Sequence, residues 1–265
     1  MDNTIELINK LKDIPAMPNV IIKILQIMKN ESSNITDLAE MISYDQALCI
    51  KVLALVNSAY YGFAQQINSL QRALPLLGLQ KVKNIVVAVA MRPMFLNQGD
   101  KELWEHSIRV AVGCEFFAKR TKIADEDDAF VIGFLHDIGK IVLNLSDHGK
   151  YLKVKEYVED GANILETEKM FFKTTHAQTG ALLAKRWQLP VLITNAVKYH
   201  HNPEESSMKP PCRLVNFVDS IIQNKVDLEN IDKNILSEYK LDVSEIPGII
   251  ATIKNKAESL LAELS

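Results

Sequence analysis

The stretch Phe134-Leu135-His136-Asp137-Ile138-Gly139-Lys140 places an adjacent His and Asp inside an otherwise apolar helical run that begins near Ala129. Burying a carboxylate or an imidazole costs free energy unless the group has a partner, and a metal cation with nitrogen and oxygen ligands satisfies both groups at once. A His-Asp dipeptide also occurs by chance, as a surface-facing pair beside a helix end. The remaining sequence decides between these interpretations, according to whether it supplies further ligands.

Further polar residues interrupt apolar helical patterns elsewhere in the chain. They are His106, His176, His200, His201 and Asp219. Each histidine taken alone is more often a satisfied or exposed side chain than a metal ligand. Several such groups without evident salt-bridge partners, however, indicate one shared metal site. The sixth histidine, His148, lies in a polar loop and is expected to be solvated.

The mixture of imidazole and carboxylate groups is typical of sites for divalent transition metals. We expect iron or manganese, with zinc or nickel as alternatives. Seven candidate ligands are too many for one ion with open positions, whereas two ions bridged by Asp137 would use them all. Such a pair can activate a water molecule and clamp a phosphoryl group.

Two further residues near the candidate ligands could take part in chemistry. Lys140, one turn after His136, is placed to neutralise a phosphate in a reaction that also uses Asp137. The alternative for Lys140 is a helix-end lysine whose ammonium reaches solvent. Glu102 precedes His106 by four residues and would share its helical face, so it is an additional candidate ligand.

Composition limits the class of protein. The 265 residues are 48% hydrophobic and 24% charged, as in a folded globular protein. The net charge of -3 gives no general basic field for nucleic acid. Three widely separated cysteines suggest neither a disulfide framework nor a metal knuckle. We find no export signal and no uninterrupted apolar run of membrane-spanning length, and therefore expect a cytoplasmic protein that does not enter a membrane.

Helical periodicity throughout the chain predicts an all-α fold. The predicted helices cover residues 5–12, 20–28, 36–42 with Thr36 as N-cap, 45–57, 69–77, 80–94, 101–121, a run from 129, 150–158, 163–170, 175–187, 191–200, 211–223 and 246–261. Pro93 and the polar residues 97–100 form the best internal boundary. We predict an N-terminal helical lobe over 1–98, a second lobe over 99–224 and a C-terminal helical extension over 225–265.

Several motifs in the first lobe closely resemble the HDOD domain, an output module of bacterial signalling proteins that is related to the HD phosphohydrolases. The motifs are IPAMP at 14–18, LAEMISYD at 38–45, VNSAYYG at 56–62, INSLQRA at 67–73 and LLGL at 76–79. The resemblance covers about residues 10–220. It implies an N-terminal helical lobe packed on an HD-like helical lobe, and a signalling protein as partner.

The second lobe is also similar to the HD-GYP phosphodiesterases, which hydrolyse cyclic dinucleotides at a site with two or three metal ions. The motifs of those enzymes, in their order along the chain, correspond here to His106, His136-Asp137 with Gly139-Lys140, His176, His200-His201 and Asp219. The sequence departs from them at residues 202–207, which read NPEESS in place of the Gly-Tyr-Pro segment. HDOD proteins are commonly regarded as non-catalytic, and many have lost metal ligands that this chain keeps.

Two functions are consistent with these features. The first is a bacterial signalling module whose metal site is structural or regulatory, and the second is a metal-dependent phosphohydrolase or phosphodiesterase acting on a nucleotide-like ligand. Family resemblance favours the first, and retention of the ligands favours the second. Nucleic-acid binding through the helices near 37–57 and the basic edge at Lys81 and Lys83 is a weaker alternative, disfavoured by the net charge.

Overall fold

The protein is all-helical wherever its structure is described. A computed structural model describes residues 4–7, 17–18, 20–22, 35–58, 61–96, 99–224 and 233–264, and these residues include helices but no strand. The α-helices in chain order are α1 Ile35–Ser43, α2 Gln46–Val56, α3 Leu70–Leu77, α4 Leu79–Leu96, α5 Lys101–Thr121, α6 Glu126–Leu135, α7 Gly139–Ser146, α8 His148–Glu159, α9 Ile164–Phe172, α10 His176–Arg186, α11 Val191–Tyr199, α12 Lys209–Ile222, α13 Lys233–Glu238 and α14 Ile246–Leu264. The predicted fold class is therefore confirmed.

Helix ends follow local capping chemistry. Asp45 and Ser69 cap α2 and α3, each accepting a hydrogen bond from a backbone amide of the first turn. Gly78 ends α3 with a φ of 82°, which lies in the region that favours glycine. Asp100 caps α5 in the same manner as Asp45, and α5 has the bounds predicted from the sequence.

Some predicted boundaries differ from the structure. Helix α1 already begins at Ile35, so Thr36 lies inside it. Pro93 lies within α4, which continues to Leu96. Because Met94 and Phe95 are buried, their packing offsets the backbone hydrogen bond that a helical proline lacks. The predicted helices over 5–12 and 20–28 fall largely outside the described residues.

The apolar run that contains the His-Asp pair is divided into two helices. Helix α6 ends at Leu135 and α7 begins at Gly139, so His136 and Asp137 lie in a tight turn rather than inside one helix. The whole stretch Asp128–Ser146, which includes this turn, has the length and mean hydropathy of a membrane span, but 83% of it is buried inside the protein. Helices α3 and α4, which meet at a bend of 117°, together also have the length and mean hydropathy of a membrane span.

Helix α5 is at the centre of the second lobe, where it packs against α6, α12 and α14. At its start, Trp104 packs against Phe95 of α4 and Phe134 of α6, with ring centroids 5.5 and 5.7 Å apart. Helix α14 also packs against α2. One cluster of buried apolar side chains therefore joins the N-terminal lobe, the second lobe and the C-terminal helix, while the division at 98 and 224 stays a prediction.

Candidate metal centre

Close backbone packing places the His-Asp turn beside α10. A Cβ atom on Gly139 would collide with the carbonyl oxygen of His176 and the amide nitrogen of Gly180. Helices α7 and α10 can therefore meet with no side chain between them at this point. The contact puts Asp137, two residues before Gly139, next to the first residue of α10.

The structure brings together all seven residues that the sequence singled out as candidate ligands. The candidate ligands are His106 on α5, His136 and Asp137 in the turn, His176 at the start of α10, His200 and His201 at the end of α11, and Asp219 on α12. All but His106 and His201 have side chains that are buried or nearly so. The six candidates other than Asp137 divide into two groups, one on each side of the Asp137 carboxylate.

The first group contains His106, His136 and Asp219. The Asp137 Oδ2 atom lies 3.2 Å from Nε2 of His136 and 3.5 Å from Nε2 of His106. The two imidazole Nε2 atoms are 3.3 Å apart. Oδ1 of Asp219 lies 3.0 Å from His106 Nε2 and 3.8 Å from His136 Nε2. Two nitrogens and two oxygens therefore converge on one point.

The second group contains His176, His200 and His201. The other oxygen of Asp137, Oδ1, lies 3.2 Å from Nε2 of His176 and 3.7 Å from Nε2 of His200. Nε2 of His176 is in turn 3.1 Å from that of His200 and 2.9 Å from that of His201. Three nitrogens and one oxygen meet here, so the Asp137 carboxylate lies between two sets of donor atoms.

The hydrogen bonds of the rings indicate that these groups suit cations. Nδ1 of His136 lies 2.7 Å from the carbonyl oxygen of Gly133, and Nδ1 of His200 lies 2.8 Å from that of Val197. Because a carbonyl oxygen only accepts, both Nδ1 atoms carry a proton, and each ring in its neutral form presents an Nε2 lone pair. Lone pairs that face one another and a buried carboxylate repel, unless a cation lies among them. The donor set fits a first-row transition metal in each group.

Electrostatics keep two rings of the second group neutral. Burial lowers the pKa of His200 well below its usual value, and the neighbouring imidazoles lower it further. Burial and His176 lower the pKa of His201 to about 3. At neutral pH both rings are therefore unprotonated, as a metal ligand must be.

Lys140 lies beside the bridging carboxylate. Its Nζ atom is 2.5 Å from Oδ2 of Asp137. Burial lowers the pKa of Lys140, but the carboxylates of Asp137 and Asp219 raise it by more, so the pKa is above its usual value. Lys140 is therefore an ammonium at the edge of the first group.

Glu168 is a residue of the site that the sequence did not reveal. Both of its carboxylate oxygens lie 2.8 Å from Nδ1 of His176, and the backbone amide of His176 donates to one of them. Its side chain is only 1% exposed. A carboxylate on the far nitrogen of a ligand histidine fixes the tautomer and the orientation of the ring. The signal available in the sequence was weak, since Glu168 lies in the mixed segment ILETEKMFF.

A cavity of about 260 Å³ opens beside the first group. His106, Lys140, His201 and Asp219 line one end of it. Glu102 also borders the cavity but does not join the donor groups, because its side chain is 80% exposed and pairs with Lys155 at 2.6 Å. His148 is exposed, as expected. Three of the candidate ligands, His106, His201 and Asp219, are thus accessible to a small molecule from this side.

Comparison with known proteins identifies the family of this chain. The model of the HDOD domain matches residues 14–203. This chain belongs to the HDOD domain family. An HDOD domain protein of unknown function from Geobacter sulfurreducens has the same fold, with a TM-score of 0.84, 24% identity and coverage of 98% of this chain and 97% of that one.

Two other proteins are similar to this HDOD chain. A candidate phosphohydrolase from Shewanella amazonensis SB2B shares the fold with a TM-score of 0.76 and 23% identity over 98% of both chains. An uncharacterised protein from Treponema pallidum is 28% identical over 248 residues, which is 88% of this chain and 47% of that protein. The chain spans about half, or less, of the length of the curated relatives it matches.

Proposed function

We propose that this HDOD chain is a metal-dependent phosphohydrolase whose centre holds two divalent ions bridged by Asp137. One observation carries the proposal, namely that the two carboxylate oxygens of Asp137 face separate groups of imidazoles. His106, His136 and Asp219 would hold one ion, and His176, His200 and His201 the other. When bound, such ions supply Lewis-acid activation of water and of a phosphoryl group. Iron or manganese suits the donor atoms best.

The residues of the chain have distinct roles in this proposal. Lys140 holds a positive charge beside Asp137 and faces the cavity, where it can neutralise the oxygens of an incoming phosphoryl group. His106 and His201 border the cavity, so a phosphoester that enters it meets the centre directly. Glu168 keeps His176 in the tautomer that presents Nε2 to the centre.

A second candidate function is a non-catalytic signalling module with a structural metal centre. It is favoured by the ion pair of Lys140 with Asp137, because an ammonium at 2.5 Å already satisfies one bridging oxygen and could stand in for one of the two ions. In either case, we propose that the signal is passed on by contact with a signalling protein partner, as the family suggests.

Elemental analysis of protein purified from metal-replete cells tests the shared centre. We expect about two transition-metal ions per chain, and a marked loss in His136→Ala and Asp137→Asn. His148→Ala, which removes an exposed histidine outside the centre, is the matched control and should keep its metal. Equal metal content and melting temperature in the wild type and both centre variants would contradict the proposal.

Turnover is tested separately, on protein loaded with manganese or iron. Phosphomonoesters, nucleotides and cyclic dinucleotides are incubated with wild type and with Asp137→Asn. Hydrolysis by the wild type alone, detected as free phosphate from the monoesters and nucleotides or as linear products from the cyclic dinucleotides, supports the phosphohydrolase. Fully loaded protein that hydrolyses none of these compounds would instead support the non-catalytic module, and activity that survives in Asp137→Asn has to come from a contaminant.

A further inference from the structure

The size of the cavity limits its ligand. Pockets for drug-sized molecules have volumes of about 300 to about 1,000 Å³, whereas this cavity has about 260 Å³. A phosphoryl group with a short organic part fits this space. A nucleotide or cyclic dinucleotide would extend beyond it.

The lining of the cavity includes two groups of charged side chains, which form a metal end and an acidic end. The metal end carries Lys140 together with the carboxylates of Asp219 and Glu168, so it attracts a phosphoryl group only when metal is bound. The other end carries three carboxylates, on Asp100, Glu102 and Glu159, and a single ammonium, on Lys155. Three negative charges against one positive charge leave an excess of two. This acidic end disfavours a second phosphate and favours a cationic group.

The acidic end is built around a buried carboxylate. Asp100 is only 6% exposed, accepts a hydrogen bond of 2.6 Å from the Tyr151 hydroxyl, and caps α5 through the amide of Leu103. Lys155 lies 2.6 Å from Glu102 but 3.7 Å from Asp100. Lys155 therefore forms its closest ion pair with Glu102, and the negative charges of Asp100 and Glu159 are only partly neutralised. Apolar side chains of Leu103, Val154, Val158 and Ile164 also line the cavity.

We propose that the cavity binds the phosphomonoester of a short alcohol that carries an ammonium group. Its phosphoryl group lies towards His106, His201 and Lys140, and its ammonium group lies towards Asp100 and Glu159. This inference rests on the proposed function, because the phosphoryl end requires metal in the centre. It goes further in naming the class of ligand and in assigning its specificity to residues outside the centre.

Calorimetric titration of metal-loaded protein tests this inference with four probes. Inorganic phosphate tests binding at the metal end alone, and AMP tests whether a larger phosphate ester can bind in the cavity. Phosphoethanolamine and glycerol 3-phosphate are of similar size, but only the first carries an ammonium group. Since an exposed charge pair contributes up to about fivefold in affinity, we expect phosphoethanolamine to bind at least threefold more tightly than glycerol 3-phosphate. Glu159→Gln should reduce this preference, whereas Glu156→Gln, an exposed carboxylate on the same helix outside the cavity, should not.

The outcomes separate this inference from the proposed function. Equal affinity for the two small esters, or tighter binding of AMP than of either, would overturn the inference while leaving a phosphoryl-binding metal centre in place. If inorganic phosphate does not bind to fully loaded protein, the proposed function fails and the inference fails with it. Loss of the ammonium preference in Glu156→Gln as strongly as in Glu159→Gln would also overturn the assignment to the cavity.

Discussion

Both carboxylate oxygens of Glu168 lie 2.8 Å from Nδ1 of His176, and one of them also accepts the backbone amide of that histidine. In Glu168→Gln a neutral amide with one acceptor oxygen replaces them, so the ring loses its charged partner. Loss of such a partner typically weakens metal binding about 10- to 100-fold. Competition with a chelator for manganese measures this effect.

Glu166→Gln is the matched control, because Glu166 lies on the same helix with an exposed side chain. We expect its metal affinity to equal that of the wild type. If Glu168→Gln bound metal as tightly as Glu166→Gln, Glu168 would have no part in positioning His176.

The affinity of the centre for metal should depend on pH through His136. Burial lowers the pKa of this histidine, but Asp137 and Asp219 raise it by more, so the pKa in the metal-free protein lies above its usual value. A proton then competes with metal for Nε2. Metal binding should be strongest above this pKa and should fall as the pH drops through it, by about tenfold per pH unit for each proton displaced.

Manganese affinity measured between about pH 8 and about pH 5 tests this dependence, with the exposed His148 removed by His148→Ala as control. The control should show the same slope as the wild type. An affinity that stays constant over this range would mean that no proton is displaced from His136.

The contact of Gly139 with α10 should be intolerant of any side chain. In Gly139→Ala the new methyl group would overlap the His176 carbonyl oxygen, so α7 and α10 would have to separate. We expect a loss of about 3 kcal/mol in the free energy of unfolding, at the upper end of overpacking effects, together with reduced metal content. Denaturant unfolding measures the first and elemental analysis the second.

Gly149→Ala is the control for this substitution. Gly149 lies in α8, where an added Cβ would meet only a side-chain oxygen of Asp147 at an ordinary distance of 3.5 Å. Alanine favours helix over glycine by about 1 kcal/mol, so this variant should be at least as stable as the wild type. A Gly139→Ala protein of wild-type stability would show that the two helices do not rely on this contact.

The C-terminal helix should contribute to the stability of the whole chain. Ile253 on α14 is fully buried and would touch any side chain placed at Gly113 of α5. Ile253→Ala should lower the free energy of unfolding by about 2 to 5 kcal/mol. Thr252→Ala, at an exposed neighbouring position, should change it by less than about 0.5 kcal/mol. Similar unfolding curves for both variants would indicate that α14 is not part of the core.

Several helix starts and the candidate ligands were predictable from the sequence because both depend on local patterns, although Thr36, the predicted N-cap, lies inside α1. Asp45, Ser69 and Thr175 cap their helices through amides three residues away, so the sequence alone specifies them. The candidate ligands stand out as polar residues on apolar helices, which need a partner inside the protein.

Other features depend on contacts between distant segments and could not be predicted. Glu102 has the correct spacing from His106, but the position of α8 presents Lys155 to it and keeps it at the surface. Only Lys81 of the predicted basic edge is exposed, since Lys83 is buried at 4% exposure. The turn at His136 divides an apolar run in which no proline marks the end of the first helix. The close approach of Gly139 to α10 becomes visible only in three dimensions.

The aromatic contact between Trp104 and its two phenylalanine neighbours gives the protein an intrinsic optical reporter. Trp104 is buried and stands two residues before His106 on the same helix, while Phe95 belongs to the N-terminal lobe. Any displacement of α4 against α5 would change the surroundings of the indole ring. A movement of α5 that shifts His106 would also change them. Once the second tryptophan is removed by Trp187→Phe, tryptophan emission can therefore follow, without a label, whether events at the centre reach the lobe that carries the HDOD motifs.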